Sequence, residues 1–284
     1  MLLAVAASAA FASMHVTVRY LTAEIHAFEI AFFRNAFAFL MLTPWLVRLE
    51  RGALRTNRIH LHVVRAVFNS IAMLTWYVAL SLLPVADAVS LTLLGPVFVA
   101  IGAMWFLGES VTRGRWLGIA IATSGAMVII RPGFESVGIG TALVITSTAT
   151  VSVSRLVAKN LARTDRTPTI VGYLSLFMTP LTLVPALTVW TWPTLTQYGL
   201  LAMVGGLGTL AHILYIRGYK LADVSRVEPA MFMRVVWAAV LGLLVFAEFP
   251  DLWTWIGAAI VVAGTTYIAR KEPVRSQHAG ESLP

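Results

Sequence analysis

The chain has 284 residues, 58% of them hydrophobic and 12% charged, with a formal net charge of +8. A soluble domain carries charge at roughly a quarter of its positions, so a mean hydropathy of +0.81 leaves apolar area that must face lipid. The basic residues fall in short bursts between apolar runs, which argues against a nucleic-acid face, and the absence of cysteine excludes disulfides and thiol chemistry.

The N-terminal stretch has no basic start of a signal peptide and reads as a first membrane helix. Crossing about 30 Å of hydrocarbon takes ~20 helical residues. Suitable stretches cover 2–20, 28–47, 62–82, 85–107, 116–130, 137–159, 169–190, 198–219, 224–246 and 252–269. Short connectors with turn formers separate them, among them Pro84, Gly114, Pro132-Gly133, Pro168, Pro193 and Pro250-Asp251. This pattern predicts an all-α membrane protein of ten transmembrane helices.

Arg48, Arg51, Arg55, Arg58 and Arg65 flank the second connector, and Arg113 and Arg115 the fourth. Arg155, Lys159, Arg163 and Arg166 mark the sixth, Arg217, Lys220 and Arg226 the eighth, and Arg270, Lys271 and Arg275 follow the last span. Positive charge collects on the cytoplasmic side, so both termini are expected there, in a cell inner membrane. Trp45, Trp105, Trp190, Trp192, Trp253 and Trp255 sit at span ends and read as interfacial anchors.

An offset of 139 residues (248 − 109) pairs Glu109 with Glu248, Trp116 with Trp255, Gly118 with Gly257, Gly125 with Gly264 and Arg131 with Arg270. Leu82 with Leu221 and Val85 with Val224 keep the register, which slips by one at Arg19 and Lys159. The repeat divides the chain into 1–136, 137–270 and a polar cytoplasmic tail, 271–284. A unit of five spans is odd, so the second copy enters the membrane upside down. Such inverted halves around a central cavity are the usual route to alternating access.

Ala88-Val89-Ser90, Gly95-Pro96-Val97-Phe98, Leu107-Gly108-Glu109, Trp116-Leu117-Gly118 and Gly125 together resemble the signature of the EamA-type family of the drug/metabolite transporter superfamily. The second copy, Ala247-Glu248-Phe249-Pro250-Asp251-Leu252-Trp253-Thr254-Trp255-Ile256-Gly257, is similar to its closing segment. The resemblance covers nearly the whole chain and implies ten helices around a central cavity, with exporters of amino acids and other metabolites among the members. The second half departs from the pattern in having Arg234-Val235 opposite Gly95-Pro96.

Ionisable groups inside spans are costly, about 2.5–3.5 kcal/mol for a central Arg, and mark function. Arg234 lies ten residues into its span (234 − 224), about 15 Å deep, and Arg34 six residues into its own (34 − 28), about 9 Å. Both are candidates for a substrate carboxylate. Arg234 has a structural alternative in Glu228, but six residues turn the two side chains about 120° apart. His15 and His212 could bind cargo or relay protons. Trp76, Tyr77, Tyr215 and Trp237 offer apolar bodies with polar handles, and Asn69 and Ser90 supply neutral donors. Gly95 and Pro96 interrupt the fourth span, since Pro96 leaves the Thr92 carbonyl without its helical donor. Gly205 and Gly206 weaken the eighth, as hinges or as close-packing sites. Glu109 and Glu248 fall at span ends, where acids cap the next helix.

The expected function is export of a small metabolite, amino acids first, including aromatic and apolar ones. The runner-up, a drug or metabolite/proton antiporter, normally needs a mid-span carboxylate. An intramembrane enzyme lacks its motifs, and no phosphate-cradling motif points to ATP. No metal or cofactor is expected. The partners are a small, carboxylated molecule, the lipid bilayer and protons, with no nucleic acid; a monomer is compatible with the sequence.

Overall fold

The protein is described by a computed structural model over residues 2–47, 55–107, 113–131, 138–221 and 224–271. Gly52, Gly108, Glu109 and the tail 272–284 lie outside the described residues, as does the side chain of Glu228.

All regular structure among the described residues is helical: α1 (Leu2–Leu21), α2 (Ala27–Val47), α3 (Ile59–Leu82), α4 (Val85–Leu91), a 3₁₀ turn (Thr92–Leu94), α5 (Gly95–Leu107), α6 (Arg113–Ile130), α7 (Ile139–Leu161), α8 (Thr167–Leu187), α9 (Leu195–Leu221), α10 (Val224–Phe246) and α11 (Leu252–Lys271). Six of these columns are long and apolar enough to cross a bilayer: Leu2–Leu21, Ile59–Leu82, Val85–Trp105, Ile139–Leu161, Thr169–Leu187 and Leu195–Tyr215. Shorter apolar helices are Trp116–Ile130, Met231–Phe246 and Leu252–Ile268.

The helix ends on either side of the seventh connector are shifted from the sequence expectation. α8 stops at Leu187, so Trp190, expected at the end of its span, lies in the connector, its ring tilted against Phe32 and Phe33 at centroid distances of 5.7 and 5.4 Å. α9 starts at Leu195 because Thr194 and Gln197 form a reciprocal capping box. The Thr194 N–H donates to Gln197 Oε1 (2.7 Å), and the Gln197 N–H donates to Thr194 Oγ1 (3.4 Å).

The exterior is apolar, with Leu40, Ile71, Trp105, Val184 and Leu244 exposed, while Ser8, Glu29, Asn35, Ser147, Thr148 and Ser152 are buried. This reverses a soluble core and suits lipid outside with interhelical hydrogen bonds within.

The columns pair in a regular way. α1 packs on α9 and α10, α7 on α3 and α5, α2 on α8 and α9, α3 on α8, α4 on α10 and α6 on α11. Exchanging each column with the one five later, counting α4 and α5 as one, maps this pattern onto itself. The repeat glycines sit at one of these contacts. A Cβ on Gly125 would lie 2.8 Å from the Gly257 carbonyl oxygen, and one on Gly264 would lie 2.8 Å from that of Gly118. Since 118 meets 264 and 125 meets 257, α6 and α11 run antiparallel.

Polar contacts between connectors form two groups at opposite helix ends. In one, Arg19 donates to Glu248 and to the Leu83 carbonyl and lies 4.9 Å over the Phe246 ring. There too, Arg131 pairs with Asp251 (2.7 Å), Thr254 donates to Asp87 (2.7 Å), Gln197 to Glu24 (2.7 Å) and Thr191 to the fully buried Glu29 (3.2 Å). In the other, Asp165 accepts from Thr56 (2.6 Å) and pairs with buried His62 (2.7 Å), and Arg58 donates to Asn160 (3.3 Å).

Candidate functional site

Between the two groups lies a mid-depth set of polar and aromatic side chains. Its centre is the break in the fourth column, where α4 passes through the 3₁₀ turn into α5. Pro96 has no N–H to donate to Thr92. The tighter turn lets the Gly95 N–H reach the Thr92 carbonyl instead, and the Gly95 carbonyl accepts from Ser152 Oγ on α7 (3.3 Å).

Arg234 reaches this break from α10, donating from Nη2 to Thr92 Oγ1 at 3.0 Å. Arg34, half-buried on α2, donates to Asn35 Oδ1 (3.1 Å) and approaches the Met73 sulfur (4.0 Å). Asn35 is fixed by Met73 (3.3 Å) and Thr182 (3.2 Å). The Arg34 guanidinium lies against α9, where a Cβ on Gly208 would be 3.2 Å from Nη2.

An aromatic file runs beside the two cations. His15 is buried, with its ring 5.1 Å from Trp76 and 6.5 Å from Phe11, and Phe11 meets His212 edge-on at 5.1 Å. His212 is nonetheless exposed. Tyr77 is buried beside Trp76, and its hydroxyl, His15 Nδ1, Arg34 Nε and Trp237 Nε1 have no hydrogen-bond partner among the described residues. Buried polar atoms without partners are uncommon in folded proteins, and those of His15, Tyr77 and Arg34 suit a site that takes a polar ligand.

The remaining candidates fall elsewhere. Asn69 bridges Met178 (3.1 Å) and Ser154 (3.3 Å), an interhelical role. Ser90 is fully buried and donates to the Ala86 carbonyl of its own helix (2.7 Å). Tyr215 is half-buried on α9. Gly205 and Gly206 make no break, because α9 is continuous through them. Gly205 instead admits α2, a Cβ there falling 2.9 Å from Phe37 Cβ, which is the close-packing alternative, while a Cβ on Gly206 meets Met41 Cε at an ordinary 3.7 Å. Glu248 caps no following helix; its partner is Arg19.

One residue of this level was not singled out by sequence reasoning. Arg155, counted with the sixth connector, turns inward, so that a Cβ on Gly95 would lie 3.4 Å from its Nη1. Its position six residues before the end of α7 gave no sign of that direction.

Comparison with known proteins adds to this geometry. The model of the EamA-like transporter family matches residues 1–131 and 138–270. A riboflavin transporter of Rhizobium johnstonii is 31% identical over 96% of this chain and 91% of its own. An S-adenosylmethionine uptake transporter of Rickettsia bellii is 26% identical over 89% and 87%, and a pseudopaline exporter of Pseudomonas aeruginosa 27% identical over 95% and 95%. A crystal structure with 17% identity aligns at a TM-score of 0.61 over 94% of this chain and 99% of its own, a likeness of fold.

Proposed function

We propose that this chain, which belongs to the EamA-like transporter family, is a secondary carrier for a small metabolite that joins a carboxylate, or a similar anionic group, to an apolar or aromatic body. Its halves, 1–136 and 137–270, are inverted copies spanning an inner membrane ten times, termini in the cytoplasm, and they expose a central cavity to each side in turn. The packing pattern that repeats every five columns and the antiparallel crossing of α6 and α11 support this arrangement. Relatives that move riboflavin, S-adenosylmethionine and pseudopaline support a metabolite as cargo.

The observation that carries the anionic reading is the pair of guanidiniums, Arg34 and Arg234, brought to mid-depth beside His15, Trp76 and Tyr77. Every acid whose side chain is described sits instead at a helix end with a partner there: Glu24, Glu29, Asp87, Asp165, Glu248 and Asp251. That distribution disfavours a cation/proton antiporter. Amino acids, with export as the direction, are the first members of the class to test.

The test is saturable flux in proteoliposomes with a panel of amino acids, other carboxylates and nucleosides. Losing a charged hydrogen bond costs ~1.5–3 kcal/mol, so Arg234→Gln is expected to lower flux of carboxylated substrates about tenfold or more. Unchanged flux across the panel would remove the carboxylate role, and turnover without flux would replace the carrier by an enzyme.

A further inference from the structure

The charge inventory at mid-depth is larger than two. Arg155 lies six residues before the end of α7 (161 − 155), about 9 Å along the axis. A long basic side chain at that distance ordinarily extends toward the near interface, keeping its charge in water. Arg155 does the opposite and lays its guanidinium over Gly95, beside the Thr92 that receives Arg234. Two cations from α7 and α10 therefore flank one broken segment, 92–95, and Arg34 stands across the aromatic file on α2. His15 lies in the field of Arg34 and Arg234, and His212 in that of Arg34 and Arg155.

Arg155 is exposed and makes no ion pair or hydrogen bond to another described residue. An arginine serving the fold would be tied to a carbonyl or an acid, as Arg65 is to the Ile170 carbonyl (2.9 Å) and Arg19 to Glu248. The described acids are all engaged at the helix ends. Within the described residues, the charge that complements a third guanidinium therefore has to arrive with the cargo.

Resting on the carrier reading above, we infer that the cargo bears two anionic groups, or one doubly charged group such as a phosphate ester, and that Arg155 selects for the second charge. Arg34 and Arg234 hold the first anionic group near the aromatic file, and Arg155 receives the other over Gly95. A guanidinium fork matches carboxylate or phosphate oxygens. The ring edges of Trp76 and Phe11 receive an apolar or flat body.

The experiment uses the full chain in proteoliposomes and probe pairs that share a body but differ in anionic charge: riboflavin against riboflavin 5′-phosphate, and alanine against aspartate. The more anionic member of at least one pair is expected to move at least tenfold faster. Arg155→Gln should abolish that preference, and Arg155→Lys should restore part of it. The thermal midpoint of Arg155→Gln should match wild type, because no bond to a described residue is lost; a lower midpoint would assign Arg155 to the fold and overturn the inference. Flux without charge preference, or a preference that survives Arg155→Gln, also overturns it and leaves the carrier reading standing. No saturable flux of any probe in either pair overturns the carrier reading itself.

Discussion

Replacing Gly125 by alanine puts a methyl group into the contact between α6 and α11. The new Cβ would stand 2.7 Å from the Val261 nitrogen, 2.8 Å from the Gly257 oxygen and 2.9 Å from Ile260 Cβ, where ordinary contact begins at 3.4 Å. Two of these three atoms are backbone, so no rotamer change relieves them, and the helices must separate by about 0.6 Å or more. Gly264→Ala meets the Ala122 nitrogen at 2.5 Å and the Gly118 oxygen at 2.8 Å, the same clash from the other helix. Overpacking of this kind costs ~1–3 kcal/mol, which corresponds to a fall of roughly 5 °C in the thermal midpoint of a chain near this size. The assay is the fraction of detergent-purified protein remaining monodisperse after heating. Gly206→Ala is the control: its Cβ meets only Met41 Cε at 3.7 Å, and removing a helix-interior glycine should leave the midpoint unchanged or raise it by ~0.5–1 kcal/mol equivalent. If Gly125→Ala and Gly264→Ala melt like wild type, or if Gly206→Ala falls as far as they do, the close crossing is not what holds these two helices.

Ala247 ends α10 in the left-handed region, φ 55°, with its N–H bonded to the Leu243 carbonyl at 3.0 Å. Glycine adopts that conformation without the Cβ penalty, so Ala247→Gly should raise the midpoint by about 1 kcal/mol equivalent, measured in the same melting assay. In the connector cluster, burial pushes the Asp165 carboxyl up. The hydrogen bonds to Thr56, His62 and Thr164, with the charge of His62, outweigh it and hold the group below the usual carboxylate range. A depressed folded pKa stabilises above the unfolded value near ~3.9 and is lost as pH falls through the folded one. The midpoint difference between wild type and Asp165→Asn should therefore be constant from pH 7 to about 5 and shrink below pH 4; a difference that grows on acidification refutes the assignment.

Much of the fold was legible because helix length, connector chemistry and the 139-residue repeat are properties of the linear chain. Gly118, Gly125, Gly257 and Gly264 were found as a repeat, and their contact across α6 and α11 gives that repeat its packing reason. The interruption at 92–95 followed from Pro96 alone. Depth along a helix was legible too, which is how Arg34 and Arg234 were singled out. The direction in which a long side chain leans was not. Arg155 has four rotatable side-chain bonds, and its position near a basic connector favoured the outward choice; that its Nη1 lies over Gly95 instead is a tertiary placement that no property of the linear chain displays. The engagement of Asp165 with Thr56 and His62 was equally hidden, because it joins residues 103 and 109 apart in sequence. The Thr194–Gln197 capping box could have been read, since its two residues stand at the spacing that such boxes require.

The distribution of contacts bears on how a carrier built this way would move. α6 and α11 meet through four glycines with no room for sliding, so they suit a fixed axis. Polar bonds between connectors lie at the two ends: Arg19 with Glu248 and the Leu83 carbonyl, and Arg131 with Asp251 across the ends of α6 and α11 themselves, at one, and Asp165 with Thr56 and His62 at the other. Alternating access on the proposed reading means releasing one set while the other stays closed. Such an equilibrium turns over only if the two sets differ by a few kcal/mol at most, because a cargo shifts it only by its differential affinity for the two states. The guanidiniums of Arg155 and Arg234 reach the broken segment 92–95 from α7 and α10, two columns that exchange roles with α1 and with the broken column itself under the five-column pattern. On the proposed reading, an anion held there neutralises repulsion between the two guanidiniums, so the cargo's charge favours whichever state brings α7 and α10 together.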